Sequence, residues 1–253
     1  LDAQPVIVEV DNFDAGQTAK FTIVGLPDNA VKESQERVQS ALRVNGYKAP
    51  FKSVVVNLAP ADMRKEGSGF DLPVAIGVLC SYEFLSIDQP ERFMFVGELG
   101  LGGEVLPVKG VLPISIKARE LGYEALFVPE ENAREAAVVN NLKVYGVKHL
   151  NEIVGFFSGT TSILPTIVNT HEEFYSQLFT FPYDFDEVKG QENVKRAFEV
   201  AAAGGHNIIL VGSPGCGKSM MAKRLPSILP PLTLGESLET TQIHSIAGKL
   251  KKE

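Results

Sequence analysis

Cysteine is scarce in this chain: Cys80 and Cys216 are its two among 253 residues. They are too few for a disulfide framework and have no metal-ligand spacing, so a reducing, cytoplasmic setting is the expectation. Long apolar runs are missing too. No stretch approaches the roughly 20 residues that span a bilayer, and no signal peptide opens the chain, so no membrane partner is expected. Positive charge is not in excess either. The 24 Lys and Arg stand against 31 Asp and Glu, a net charge of −7, which excludes a generally basic nucleic-acid coat but not a local basic patch. His149, His171, His206 and His244 never fall at H-x-x-x-H spacing and read as surface or capping residues.

What is present is the composition of a folded globular protein, 44% hydrophobic and 22% charged, with length for one large domain or two ordinary ones. The charge is uneven: −6 of the −7 lies within residues 1–158. That first part alternates strand and helix signals. Val6–Val10, Lys20–Val24, Ser53–Leu58, Phe93–Val96, Ala125–Val128 and Leu142–Tyr145 read as strands. Between and after them, residues 28–44, 71–80, 111–121, 131–139 and 149–157 read as helices, with Asp28 or Asn29 as a cap and Pro73 in a tolerated first turn. Alternation without a repeat period indicates α/β or α+β rather than a helical bundle. Cys80 ends an apolar helix and is expected in the core.

Residues 159–183 break the pattern and read as a linker, with one helical turn around Glu172–Leu178. Beyond it Gln191–Ala203 reads as a helix and Asn207–Val211 as a short apolar strand. The strongest signal follows directly. Gly212-Ser213-Pro214-Gly215-Cys216-Gly217-Lys218-Ser219 fits G-x-x-x-x-G-K-[ST] without a mismatch, between a strand signal and a helix signal. Glycines let backbone N–H groups surround phosphate oxygens with no Cβ in the way, and the following helix directs its N-terminal dipole at the same anion. In this reading Lys218 meets the β- and γ-phosphates of ATP and Ser219 ligates Mg²⁺. Cys216 is read as an ordinary loop residue pointing away, the alternative being an oxidation-sensitive nucleotide site.

Turnover also needs an acidic residue at the end of a second strand. Nothing after Ser219 reads as an apolar strand ending in Asp-Glu, and Glu236 and Glu239 read as solvated helix residues. No catalytic set is complete, so this chain is expected to bind nucleotide without turning it over. Lys223-Arg224 and Lys249 to Lys252 read as solvated basic faces, with a DNA contact there only a weak guess.

With these residues in hand, the second part resembles the start of an AAA+ ATPase of the magnesium-chelatase-like type. Phe185-x-x-Val188-x-Gly190-Gln191 is similar to the segment that packs on adenine in that superfamily, which implies an adenine pocket at Val188, Gly190 and Gln191. Ala201 to Asn207, the phosphate loop and Ala222 to Leu232 look like the ComM/YifB branch. Val24 to Ala30, Asn57 to Asp62 and Arg64 to Ser68 are similar to that family's amino-terminal domain. The resemblance implies a Lon-protease-like (ribosomal protein S5-like) α+β domain at 1–158, a linker at 159–183, and the first part of a P-loop AAA+ α/β domain at 184–253. It also implies an additional strand before residue 1, more AAA+ core after residue 253, ATP and Mg²⁺ as cofactors, assembly into a ring, commonly a hexamer, and DNA branch migration in recombination or natural transformation. The alternatives are a chelatase-type subunit that remodels a partner protein and a Lon-type peptidase.

Lon enzymes use a Ser–Lys dyad. In the matching loop, Lys65-Glu66-Gly67-Ser68-Gly69-Phe70-Asp71, the nucleophile's place falls on Gly69. In Val105-Leu106-Pro107-Val108-Lys109-Gly110-Val111-Leu112 the place of the Lys falls on Leu112. The dyad is expected to be absent; a slipped pair, Ser68 with Lys109, needs two independent shifts.

Overall fold

The computed structural model describes residues 2–16, 18–48, 52–177 and 181–250. Leu178, Lys251 and Lys252, named above, lie outside the described residues, as does the side chain of His171. The chain divides into two compact units, Leu1–Val168 with Thr241–Glu253, and Asn169–Thr240.

The first unit is mixed α/β. Strand β1 (Ile7–Asp14) runs antiparallel to β3 (Lys52–Ala59), and β2 (Phe21–Val24) lies parallel on the other side of β3. Strand β1 extends past the Val6–Val10 expectation. Asp11, Asn12 and Asp14 are poor strand formers, but each has a ladder partner between Lys52 and Val55, and pairing overrides propensity. Alternate residues of β3, Val54, Val56 and Leu58, are buried. Over this sheet lie α1 (Asn29–Val44) and α2 (Asp71–Ser81). Asp28 caps α1 by accepting from Val31 N at 2.8 Å, and the helix buries Val31, Ser34, Val38, Ala41 and Leu42, a stripe at helical spacing. Helix α2 is apolar almost all round because it is buried from several sides, sealing Leu72, Val74, Ala75, Val78 and Leu79.

A second, parallel sheet has the order β4 (Phe93–Phe95), β7 (Ala125–Pro129), β8 (Lys143–Val147), with a small hairpin of β5 (Glu98–Leu99) and β6 (Val105–Leu106) between β4 and β7 in sequence. Every residue of β7 is buried, as a central parallel strand requires. Register places Phe95, Phe127 and Tyr145 side by side across the three strands. Their rings stack at 5.1 and 5.0 Å between centroids, with Phe156 and Phe157 closing over Phe127. Such aromatic pairs each contribute about 0.5–1.5 kcal/mol beyond their burial. Helices α3 (Val111–Glu120), α4 (Glu130–Ala137) and α5 (Leu150–Phe157) complete the unit. His149 is the N-cap of α5: its Nδ1 accepts from Asn151 N at 3.1 Å. Cys80 is half-buried against the main core.

The second unit holds α6 (Thr170–Gln177), a 3-10 turn at Phe185–Glu187, α7 (Glu192–Gly204) and α8 (Lys218–Arg224). The division between units falls inside α9 (Leu234–Ile246). Phe185, Val188, Phe198 and Met221 form the small core of the second unit. The expected strand at Asn207–Val211 is not formed. A strand exists by its ladder, and no described segment of this unit is a strand that could pair with it. Ile209 and Val211 are consequently 86% and 90% exposed. Among the described residues no helix is long and apolar enough to cross a membrane.

Candidate functional site

The phosphate-loop motif folds as an exposed turn leading into α8. Gly215 and Gly217 sit at φ +83° and +86°, a region that side chains disfavour, and nothing lies within 4 Å of where a Cβ on Gly215 would stand. Ser213, Pro214 and Ser219 are exposed. Lys218 opens α8 and curls back over the loop. Its Nζ donates to the carbonyls of Gly212 at 2.8 Å and Ser213 at 2.7 Å and lies 3.3 Å from Cys216 Sγ. Met221, one turn on, anchors the helix in the core.

Cys216 does not point away. Its Sγ lies 2.8 Å from the place a Cβ on Gly212 would occupy. The thiol thus covers Gly212 and faces the ammonium group, and any side chain at position 212 would collide with it.

The three residues assigned to an adenine pocket lie in different surroundings. Val188 is buried among Phe185, Phe198 and Met221. Gly190, at φ +67°, is exposed. Gln191 caps α7 in a left-handed conformation, and its Nε2 is 3.7 Å from the place of a Cβ on Gly217. The sequence segment before α7 therefore abuts the loop through Gln191.

Arg224 corrects the expectation of a solvated basic face at its own position. Its side chain is 12% exposed and paired with the Glu187 carboxylate. Nε donates to Asp184 O at 2.8 Å and Nη1 to Met220 O at 3.1 Å, while the guanidinium lies 5.3 Å from the Tyr183 ring centroid. No local spacing shows this, because the partners stand about forty residues earlier. Glu236 does more than face solvent. It accepts from Thr233 N and Thr233 Oγ1, both at 2.8 Å, and so closes a capping box on α9. These bonds hold its carboxyl below the usual range, the backbone bond contributing most.

The donor set suits a polyphosphate with its metal. The loop is exposed, the space beside Gly215 is open, and two carbonyls already draw an ammonium group inward that phosphate oxygens can take over. Ser219 offers the hydroxyl such loops give to magnesium.

In the first unit, Ser68 Oγ donates to the Glu98 carboxylate. Leu112 is fully buried at the start of α3, and its N–H is accepted by Glu135 at 3.0 Å. Ser68, Glu98 and Lys109 line a cleft of about 1230 Å³, walled by β1, α2 and β4, whose lining is mainly apolar. Ser68 therefore has an acidic partner, and Leu112 lies buried away from it in the core.

Two family descriptions match this chain. "Subunit ChlI of Mg-chelatase" matches residues 8–132, and "Magnesium chelatase, subunit ChlI" matches residues 184–253. The chain is 42% identical over 248 residues to the competence protein ComM of Haemophilus influenzae, covering 97% of this chain and 48% of that protein. It is 38% identical over 248 residues to the uncharacterized protein YifB of Salmonella typhimurium, covering 98% and 47%. A shorter similarity, 26% over 124 residues, joins it to Lon protease 2 of Bacillus subtilis, covering 49% and 22%. The chain spans about half the length of the ComM and YifB relatives it matches.

Proposed function

The chain belongs to the ComM/YifB, magnesium-chelatase-like family of AAA+-type P-loop ATPases, and from that premise we propose that residues 212–219 hold the phosphates of Mg-ATP. The observation that carries this is Lys218, whose ammonium group is folded into an exposed glycine loop by two of the loop's own carbonyls. Lys218 meets the terminal phosphates, backbone N–H groups of the loop meet their oxygens, Ser219 ligates the magnesium ion, and Gln191 lies on the approach to the base. When bound, magnesium neutralises charge on the phosphate oxygens. No strand among the described residues after Ser219 presents a second carboxylate, which supports the reading that this chain binds nucleotide without turning it over.

The whole protein is an ATP-driven motor that assembles as a ring, commonly a hexamer, and acts on DNA in recombination or natural transformation. The competence designation of the Haemophilus relative supports that reading. A second reading, an ATPase that remodels a protein partner, is favoured by the chelatase descriptions of both matched regions. The first part, 1–158, is a Lon-like domain without the dyad; the partial similarity to a Lon protease and the Ser68–Glu98 pairing support this.

The test is a calorimetric titration with Mg-ATP of this chain and of Lys218→Ala. Saturable binding that disappears in the variant is expected. Equal affinity in the two would show that the phosphates sit elsewhere.

A further inference from the structure

Arg224 engages a backbone carbonyl, a carboxylate and an aromatic ring outside its own helix, and the phosphate-binding role of the loop does not require it. Its guanidinium bonds through Nε to the Asp184 carbonyl and through Nη2 to the Glu187 carboxylate, with the Tyr183 ring beside it. A third N–H returns to Met220 O in its own helix, which fixes the side chain's direction. Asp184 in turn caps the 3-10 turn by accepting from Asp186 N at 3.2 Å. Phe185 of that turn packs on Phe198 of α7 at 5.3 Å between centroids. Residues 183–188 are thus tied to the helix that begins with Lys218, and they lead within three residues to Gln191 beside Gly217.

We infer that Arg224 is a positioning residue that keeps segment 183–191 in register with the phosphate loop, so that it governs recognition of the nucleotide's base and not of its phosphates. This rests on the assignment of the loop to Mg-ATP. A nucleotide with its phosphates at 212–219 meets segment 183–191 with whatever extends beyond them, since Gln191 abuts the loop's last glycine. Arg224 touches none of the loop residues 212–219 in its recorded bonds; it acts on the base side through the segment it holds. Lysine cannot replace it, because a compact ammonium group lacks the planar fork of donors that holds a carbonyl and a carboxylate side by side next to a ring.

The experiment titrates the 253-residue chain with Mg-ATP and, separately, with magnesium tripolyphosphate, which has the phosphates without the base. Unsubstituted protein, Arg224→Ala, Arg224→Lys, Glu187→Gln and Lys218→Ala are compared. In Arg224→Ala, ATP affinity is expected to fall about tenfold to a hundredfold, the equivalent of one or two charge-assisted hydrogen bonds, with tripolyphosphate affinity within about twofold of the parent. Arg224→Lys should not restore ATP binding, and Glu187→Gln should show a smaller loss of the same selectivity. Lys218→Ala should lose both ligands. Retained tripolyphosphate binding also proves that the loop is folded in the variant. Parallel loss of both ligands in Arg224→Ala and Arg224→Lys would overturn the inference, as would no loss of either. Failure of the unsubstituted chain to bind ATP or tripolyphosphate would instead overturn the loop assignment, and this inference with it.

Discussion

Arg37 of α1 and Asp71 of α2 form a two-pronged ion pair, Nε to Oδ2 at 2.5 Å and Nη2 to Oδ1 at 2.9 Å, with the aspartate side chain sealed from solvent. Asp71 also accepts from Leu99 N at 3.0 Å, so one carboxylate joins α1, α2 and the hairpin strand β5. The bond to Asp71 raises the Arg37 pKa above its ordinary value. By linkage its contribution is complete below the unfolded value and is lost only when pH rises through the folded one, so the guanidinium stays charged wherever the protein is handled. The two halves of the pair are not equivalent. The arginine side chain is 20% exposed and has the Ala30 carbonyl as a further acceptor, whereas the carboxylate has no solvent. Arg37→Met should therefore cost more than Asp71→Asn, about 5 against about 3 kcal/mol on the scale of broken buried pairs. Urea unfolding followed by far-UV circular dichroism measures both; the reverse order would contradict the buried-carboxylate account.

Gly77 allows β1 to lie on α2. A Cβ there would stand 2.5 Å from Val10 Cγ2 and 3.3 Å from Val10 Cβ. Alanine raises helix propensity by about 1 kcal/mol over glycine, but overpacking costs typically about 1–3 kcal/mol, and valine has little rotamer freedom to retreat. Gly77→Ala is expected to destabilise on balance. Adding Val10→Ala should recover stability, a coupling of about 1–2 kcal/mol in a double-mutant cycle. Strict additivity would show that the helix and strand do not press on each other at this point.

Alkylation separates the two thiols. Cys216 is exposed beside Lys218, while Cys80 is half-buried and its thiol is pushed up by desolvation. Iodoacetamide near neutral pH should modify Cys216 first, Mg-ATP should protect it, and modified protein should lose ATP affinity. Mass spectrometry of peptides reads the order. Preferential labelling of Cys80 would contradict the local geometry.

Helix α9 should lose the cap at its first turn in acid. Folding lowers the Glu236 pKa through the bonds from Thr233. The cap's contribution is complete above the unfolded-chain value and disappears as pH falls through the folded one. Amide exchange at Thr233, whose N–H is the donor, should accelerate over that acidic interval relative to the intrinsic rate. Glu236→Gln should flatten the dependence. A pH response unchanged by that substitution would rule out the capping carboxylate.

The readable parts of this protein are the local ones. Asp28 three residues before Val31 announces a cap, and a glycine loop ending in Gly217-Lys218-Ser219 announces its turn, because each is decided within one or two turns of backbone. Arg224 eludes a local reading because its partners Asp184 and Glu187 are 40 and 37 residues away. Arg37 and Asp71, 34 residues apart, carry no mark in either local sequence. Asp11, Asn12 and Asp14 form strand against their own propensity because Lys52–Val55 lies opposite, and 207–211 fails as a strand despite good propensity. In both cases the deciding term is a neighbour that a window of sequence does not contain.

On the proposed assignment of residues 212–219 to Mg-ATP, the stretch before Gly212, which has no ladder partner among the described residues, makes nucleotide affinity conditional. Its backbone leads directly into the carbonyls that hold Lys218, so any strand that comes to lie beside Ile209 and Val211 restrains the loop as well. Restraint that favours the bound form strengthens ATP binding, and by reciprocity ATP then favours the strand's arrival by the same factor. Docking of a neighbour and capture of the nucleotide thereby become two readings of one equilibrium.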